Sequence, residues 1–358
     1  MTGRLPDNEG GVDIADVDAI APNFKRRLSG VTSTIIQLVP MQRLLGQRVA
    51  TLGPGLPRDL PHMRFRDLVS LWRPPAGRSH RVWHARRNTE MLPGILLRDV
   101  LRMPLKLLFT SAAQRRHSRY TKFLISRMDA VIATSERSGS YLEVPHTVIQ
   151  HGVDLERFHP PQGAEDTIEA AGLPGKYLVG CFGRVRHQKG TDLFVRAMIE
   201  LLPHHPEWTA VISGRITPEH KGFADDLKAQ IAAAGLSSRI VFLGEVDDIK
   251  PWYRRLALYV APSRNEGFGL TPLEAMASQT AVVTSDAGAY AEMTIEGVTG
   301  AVVPAGDGTA MTNAIGRYMA DPDATLAAGR KALDHVRAKF ALEKEARAIG
   351  EVYRRLLS

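Results

Sequence analysis

Apolar residues along this chain gather into two series of short runs separated by stretches of helical periodicity. The second half holds YLVGCFG (177–183), WTAVISG (208–214), IVFLG (240–244), LALYVAPS (256–263), AVVTS (281–285) and GAVVP (300–304). Continuous runs rich in Val, Ile, Leu and Tyr predict strands buried on both faces. TDLFVRAMIELL (191–202) and FADDLKAQIAAAG (223–235) lie between them with a helical pattern. Alternation of this kind predicts a parallel sheet covered by helices. Several runs end in Gly, Pro or Ser, as expected where a chain leaves the carboxyl edge of such a sheet.

The first half repeats the theme with VDAIAPN (17–23), RVATLGP (48–54), RVWHAR (81–86), PLKLLFTSA (104–112), AVIATS (130–135) and HTVIQHG (146–152). Helices are predicted over 31–45, 114–127 and 136–143. Residues 54–80, with five prolines, read as an irregular insertion, and 1–15 as a loose tail. Prolines, glycines and charges crowd 151–176, which places a boundary near 155–175 and domains over 1–160 and 161–340. The last segment, 341–358, is a predicted helix with Leu342, Ala346, Ile349, Val352, Tyr353 and Leu356 on one stripe, expected to pack across the junction. The fold class is α/β, with two doubly wound sheets facing each other across a cleft. Ligands of such sheets bind at the carboxyl edges.

Composition narrows the class. A chain of 358 residues, 44% apolar and 23% charged, is that of a globular protein of two domains. Its single cysteine, Cys181, allows no disulfide within the chain, which suits the cytoplasm. The first twenty residues lack an apolar h-region, so no secretory signal is expected, and no run of 18 apolar residues predicts a membrane span. A net charge of +8 favours anionic partners. Between 98 and 128 stand Arg98, Arg102, Lys106, Arg115, Arg116, Arg119, Lys122 and Arg127, with Asp99 the lone acid and Leu, Met, Phe and Ile interleaved. This is either a solvated helix face or a patch for an anionic membrane surface. No zinc-finger spacing or aromatic-rich strand signature points to nucleic acid.

The chemistry lies at the strand ends. RNEGFGLTPLEAMA (264–277) joins a strand to a helix. Thr271, Pro272 and Glu274 read as a capping box, which by itself accounts for Glu274. The preceding Glu266-Gly267-Phe268-Gly269-Leu270 is different. Its glycines let backbone amides approach a ligand, and the following helix N-terminus favours an anion. A diphosphate fits there, with Glu266 placed to accept hydrogen bonds from sugar hydroxyls. CFGRVRHQKGTDLF (181–194) carries Arg184, Arg186, His187 and Lys189 in a loop, suited to phosphate or simply exposed. It is neither a P-loop nor a dinucleotide fingerprint. In the first half, FKRRLSGVTSTI (24–35) reaches a helix start through Ser29, Gly30 and Thr32, where either Ser29 or Thr32 suits an N-cap. WHARRNTEM (83–91) crowds His84, Arg86, Arg87, Asn88 and Glu90 at one strand end. Asp247-Asp248 reads as a helix start. No H-E-x-x-H or Cys/His cluster suggests a metal, and no G-x-S-x-G suggests a serine nucleophile.

Taken together, HGVDLERFHP, GRVRHQKG, VFLGEV, APSRNEGFGLTPLEAMA and SDAGAYAEMTIEGVTGAVVPAGD resemble a family 4 retaining glycosyltransferase of the GT-B architecture. The resemblance implies that Arg184 and Lys189 hold a donor diphosphate. It implies that Glu266 and the amides of Gly267, Phe268, Gly269 and Leu270 hold the donor sugar and diphosphate, and that Glu274 binds the ribose. Gly30 matches a glycine turn facing the phosphate, and Val246 lies near the base. Glu266, Arg184 and Lys189 then carry catalysis, with no cofactor and no metal required. His84, Arg86, Arg87, Asn88 and Glu90 are acceptor-side candidates. The first half is most similar to lipopolysaccharide-core mannosyltransferases that use GDP-mannose near Kdo. Such an enzyme acts on a lipid-linked glycan at the cytoplasmic face of the inner membrane. Two departures stand out: SGVTS replaces a common Gly-Gly pair, and FTSAA (109–113) stands where a histidine is common, leaving His84 or His117 as substitutes. UDP-glucose or another nucleotide sugar is the alternative donor. A glycosidase using Glu266 and Glu274, a nucleotide-sugar epimerase and a non-catalytic sensor are the alternative classes.

Overall fold

A computed structural model describes residues 11–25 and 30–358. Residues 1–10 of the expected tail, and Ser29 as an N-cap, lie outside the described residues. The chain divides into one unit of 1–150 with 342–358 and a second of 151–341.

The first unit holds a parallel sheet of seven strands: β1 (Ala19–Pro22), β2 (Val49–Leu52), β3 (His62–Met63), β4 (Arg81–Ala85), β5 (Leu105–Ser111), β6 (Ala130–Ala133) and β7 (Thr147–Val148). Their spatial order is β3-β2-β1-β4-β5-β6-β7. Every residue of β1, β2 and β4 is buried, as expected of a parallel sheet whose two faces are covered by helices. The helices are α1 (Gly30–Leu44), α2 (Asn88–Ile95), α3 (Arg119–Ser126) and α4 (Glu136–Gly139).

Four expectations change here. The insertion 54–80 contains β3, on the edge beside β2, and a 3-10 helix Phe65–Trp72. The described part of the tail is held in place, because the buried Arg81 guanidinium donates to the carbonyls of Ile14 and Val17 at 2.7 Å each. The strand end at 83–91 continues into α2, a helix obscured by its internal Pro93 and followed by a π turn, Leu96–Val100. The third helix starts at Arg119 rather than 114, because Ser118 caps it by accepting from the Thr121 amide at 3.2 Å.

The second unit is regular. Strands β8 (Tyr177–Phe182), β9 (Trp208–Ser213), β10 (Ile240–Gly244), β11 (Leu256–Ala261), β12 (Ala281–Ser285) and β13 (Gly300–Val303) match the six predicted runs. They lie parallel in the order β10-β9-β8-β11-β12-β13. Helices α5 (Thr191–Leu201), α6 (Lys221–Ala233), α7 (Lys250–Arg255), α8 (Thr271–Ala277) and α9 (Tyr290–Met293) lie in the crossovers, and α10 (Gly308–Ala320) and α11 (Pro322–Lys339) follow the last strand. One face of the sheet packs Val179, Phe194, Met198 and Ile212; the other packs Leu178, Tyr259, Leu273 and Met276. In both sheets the order reverses beside the first strand, between β1 and β4 and between β8 and β11. Those are the switch points where crevices open.

The chain then returns to the first unit as α12 (Leu342–Leu357). Leu342, Ala346, Ile349, Val352, Tyr353 and Leu357 are buried against α1 and β4. Leu357 takes the core place expected of Leu356, which is half-buried, and the boundary falls at 150/151 rather than 160/161. No helix among the described residues is long and apolar enough to cross a membrane.

Candidate active site

The second unit concentrates its chemistry at the β8/β11 switch point. Three consecutive strands end in glycine with positive φ: Gly183 (140°), Gly214 (146°) and Gly244 (73°). A Cβ on Gly214 would lie 1.9 Å from the Gly183 carbonyl oxygen. The strand ends are therefore bare backbone, and a ligand can come close. From Gly183 the chain runs to Gly190 (φ 71°), whose added Cβ would meet the Pro262 carbonyl oxygen at 1.9 Å. Gly190 thus seats the start of α5 directly against the end of β11.

The two loops are tied together. Arg264 grips Asp192 with both guanidinium nitrogens at 2.7 Å each, and donates to the His187 carbonyl at 2.6 Å. Its amide donates to the Gln188 carbonyl at 2.9 Å. Asp192 is buried, and despite that burial Arg264 holds its carboxyl below the usual range. This fork-to-fork contact fixes the loop of Arg184 and Lys189 against the loop of Glu266.

Lys189 forms an ion pair with the Glu266 carboxylate. Tyr290 donates to the same carboxylate at 3.3 Å, and the Gly267 amide donates to it at 3.1 Å. Burial, reinforced by the Glu266 charge, pushes the Tyr290 hydroxyl well above its ordinary value, so it stays protonated and donates. Gly269 (φ 85°) lies flat on Tyr290, where a Cβ would approach the ring to 2.3 Å. The Phe268 side chain is buried and meets His151 edge-on at 4.9 Å, so this residue offers its amide. Among the described residues, the amides of Phe268, Gly269 and Leu270 donate to no protein acceptor. Arg184 is exposed and makes no ion pair among the described residues. Arg184, Lys189, Ser263, Thr271 and Tyr290 line one cavity, and the loop of unengaged amides adjoins it where Gly269 packs on Tyr290.

Glu274 is a correction. Helix α8 begins at Thr271 after Leu270, with no side-chain cap, so no capping box forms. The Glu274 carboxylate instead accepts from the Tyr253 hydroxyl at 2.8 Å. Burial raises its pKa, against the pull of Tyr253 and Arg157. Each glutamate thus has its own tyrosine. Val246 sits partly buried in the loop after β10, two strands from the switch point. Asp248 starts α7 as expected, accepting from the Lys250 amide at 3.0 Å.

The first unit is braced instead. At the β1/β4 switch point Arg87 donates to Asn23 Oδ1 at 2.9 Å, Glu90 Oε1 at 2.7 Å and Thr32 Oγ1 at 3.1 Å. Thr32 lies inside α1 and its hydroxyl reaches Asn23 Oδ1 at 3.3 Å, so it is not the N-cap. Glu90, fully buried, also accepts from the Arg86 amide at 2.7 Å. His84 is likewise fully buried, with Nδ1 on the Tyr353 hydroxyl at 2.8 Å and Nε2 on Thr110 at 2.7 Å. Burial drives its pKa well below the ordinary value, so it is a neutral core residue. His84 and Glu90 therefore leave the acceptor-side set. Arg86, Arg87 and Asn88, all half-buried, remain at the edge, and Gly30 opens α1 exposed. His117, after β5, has a buried Nε2 with no hydrogen-bond partner among the described residues.

Sequence reasoning gave no role to Arg264, Asp192, Tyr253, Tyr290 or Asn23. Asp192 and Tyr290 stand within motifs already singled out, GTDLF and SDAGAYAEM, and a polar residue beside each glycine turn was the available signal. Among the described residues no group of three His, Cys, Asp or Glu side chains could hold a metal.

Comparison with known proteins gives the family and the fold. A family model described as glycosyl transferases group 1 matches residues 176–321. The chain is 74% identical over 345 residues to the lipopolysaccharide core biosynthesis mannosyltransferase LpcC of Rhizobium leguminosarum bv. viciae, covering 96% of this chain and 98% of that one. It is 58% identical to LpsB of Rhizobium meliloti, of the same description, over 97% and 99%. Among solved structures, Anabaena Alr3699/HepE in complex with UDP matches with a TM-score of 0.82 at 19% identity, over 95% of this chain and 100% of that one.

Proposed function

The chain belongs to the group 1 glycosyltransferases and has the GT-B pair of Rossmann-like units; on that premise we propose that it moves mannose from GDP-mannose, with retention, to a sugar hydroxyl of the lipopolysaccharide inner core near Kdo. The names of its two relatives support mannose and the lipopolysaccharide core. The observation that carries the reading is the convergence of Arg184, Lys189, Glu266 and three unengaged amides at one switch point.

The chemical barrier is charge separation. The leaving diphosphate gains negative charge while the sugar approaches an oxocarbenium ion. Arg184, Lys189, the Phe268–Leu270 amides and the α8 N-terminus supply fixed positive ends for that charge. Each such donor is worth about 3 kcal/mol in the transition state. In the free protein Lys189 and Glu266 neutralise one another. A bound donor exchanges these partners: the diphosphate takes Lys189, and Glu266 turns to sugar hydroxyls. Glu274, held by Tyr253, meets the ribose. The leaving phosphate oxygen takes the acceptor proton, so retention needs no protein nucleophile. These cations also do the work that a metal would do, and chelation is expected to leave the rate unchanged.

The test is transfer from GDP-mannose, UDP-glucose and other nucleotide sugars to a truncated core acceptor, with the anomeric configuration read by NMR. Glu266→Ala is expected to fold normally and to lose transfer by roughly a thousandfold. Wild-type turnover in that variant, or conversion of the donor without acceptor, sinks the reading.

A further inference from the structure

Of the thirteen large apolar side chains that stand exposed among the described residues, nine lie between Phe65 and Phe123. Three segments of the first unit carry them. On the 3-10 helix Phe65–Trp72, Leu71 is buried while Phe65, Val69 and Trp72 are 56%, 66% and 50% exposed. On α2 and its π turn, Leu92, Leu96 and Val100 repeat every four residues along one outward stripe about 12 Å long, with Leu101 following. On α3, Leu124 and Ile125 are buried and Tyr120 and Phe123 are exposed.

These segments are neighbours. Trp72 donates its indole N–H to the Leu101 carbonyl at 2.8 Å. Phe65 stacks on Phe24 at 6.0 Å, and Phe24 touches Trp83, against which Gly94 of α2 packs. At the start of α2, Asn88 donates to Thr121 of α3 at 2.8 Å. The three exposed apolar stripes thus lie on adjoining segments of the first unit. A folded chain exposes adjoining apolar stripes where it meets a partner or a bilayer.

Charge decides between them. Arg64, Arg66 and Arg73 are exposed around the 3-10 helix, as are Arg115 and Arg116 ahead of α3 and Arg119 at its start. The nearby acids are engaged: Asp67 accepts from the Arg64 amide, and Asp99 is gripped by Arg98 and Arg127. A second copy of this face would set arginines against arginines. An anionic lipid surface complements both the apolar centre and the basic rim. The expected basic segment 98–128 is thereby corrected. It is no single helix face, since it includes the buried β5, and Arg98, Lys106, Lys122 and Arg127 are spent on Asp99, Asp129 and Glu143.

We propose that the first unit inserts Phe65, Val69, Trp72, Leu92, Leu96 and Val100 into the interface of an anionic bilayer. The placement rests on the lipid-linked acceptor proposed above: α2 begins with Asn88 at the acceptor edge, and its first exposed leucine is one turn further on. The same helix presents a glycan-facing end and a lipid-facing side.

The experiment is sedimentation of the full chain with vesicles of phosphatidylcholine, with and without phosphatidylglycerol, alongside quenching of tryptophan emission by brominated lipid. Wild type is expected to bind only the anionic vesicles, with Trp72 quenched. The triple variant Val69→Glu, Leu96→Glu, Val100→Glu, on exposed positions, is expected to bind at least about tenfold more weakly while keeping its thermal transition and its transfer to a lipid-free core oligosaccharide. Vesicle binding unchanged in the triple variant overturns the proposal. So does an unquenched Trp72 in bound wild type, or a wild-type dimer that the triple variant dissociates. Failure of wild type to act on the lipid-free acceptor, with vesicle binding intact, would instead overturn the transfer reading.

Discussion

The two sheets share one strand order, yet their switch points are built in opposite ways. In the second unit, glycine strand ends, unengaged amides and the exposed Arg184 leave capacity for an incoming anion. In the first, Asn23, Thr32, Arg87 and Glu90 consume one another's hydrogen bonds in a buried cluster. Topology sets where a crevice opens. Whether the crevice is reactive depends on how many polar groups the fold leaves unsatisfied there. The first unit holds its edge rigid and presents only the outer atoms of Arg86, Arg87 and Asn88.

That contrast can be broken by substitution. The largest effect should come from the braced side. Glu90→Ala strands the half-buried Arg87 without its carboxylate, and removing one partner of such a pair costs about 4 kcal/mol of stability, read as a lowered urea midpoint. A midpoint unchanged from wild type would show the brace to be idle. On the open side, Arg184→Ala should leave the urea midpoint alone and lower kcat about a hundredfold, the equivalent of about 3 kcal/mol. A stability loss without a kinetic one would reverse the assignment of the two edges.

Glu274→Gln probes both properties at once. Burial raises the Glu274 pKa, so its charged form is disfavoured in the folded state and the cost appears as pH rises past the ordinary value of 4.5. At neutral pH the glutamine variant should therefore melt higher than wild type, while its KM for the donor rises about tenfold through loss of a charged acceptor to the ribose. The smallest effect is at Asp99. Hydrogen bonds from Arg98 and then Arg127 pull its pKa from 3.8 to about 2. Its contribution is complete above about pH 4 and is lost as pH falls through about 2. Asp99→Asn should lower stability by under about 1 kcal/mol at pH 6, and urea midpoints of variant and wild type should converge towards pH 2.

Legibility followed the same contrast. All six strands of the second unit, and the loop 264–270, could be read because local composition decided them: unbroken Val, Ile and Leu runs, and glycines placed where a ligand needs backbone. The first unit was harder because its determinants are distant in sequence. His84 looked ligand-facing until Tyr353, 269 positions away, closed over it. Pro93 hid α2, and with it the outward stripe of Leu92, Leu96 and Val100. Glu274 looked like a cap because T-P-L-E has the right spacing, yet Tyr253 holds its carboxylate elsewhere.

The order of apolar runs and glycine turns by itself determined two doubly wound sheets and the glycine loop of the second whose amides stay unengaged, since each depends on interactions within a few residues. Tertiary structure alone decided which polar groups stay available. It buried His84 and Glu90, joined Arg264 to Asp192 and gave each glutamate its tyrosine. A side chain's chemistry depends on solvent and partners, and those are supplied by segments that meet only when the chain is folded.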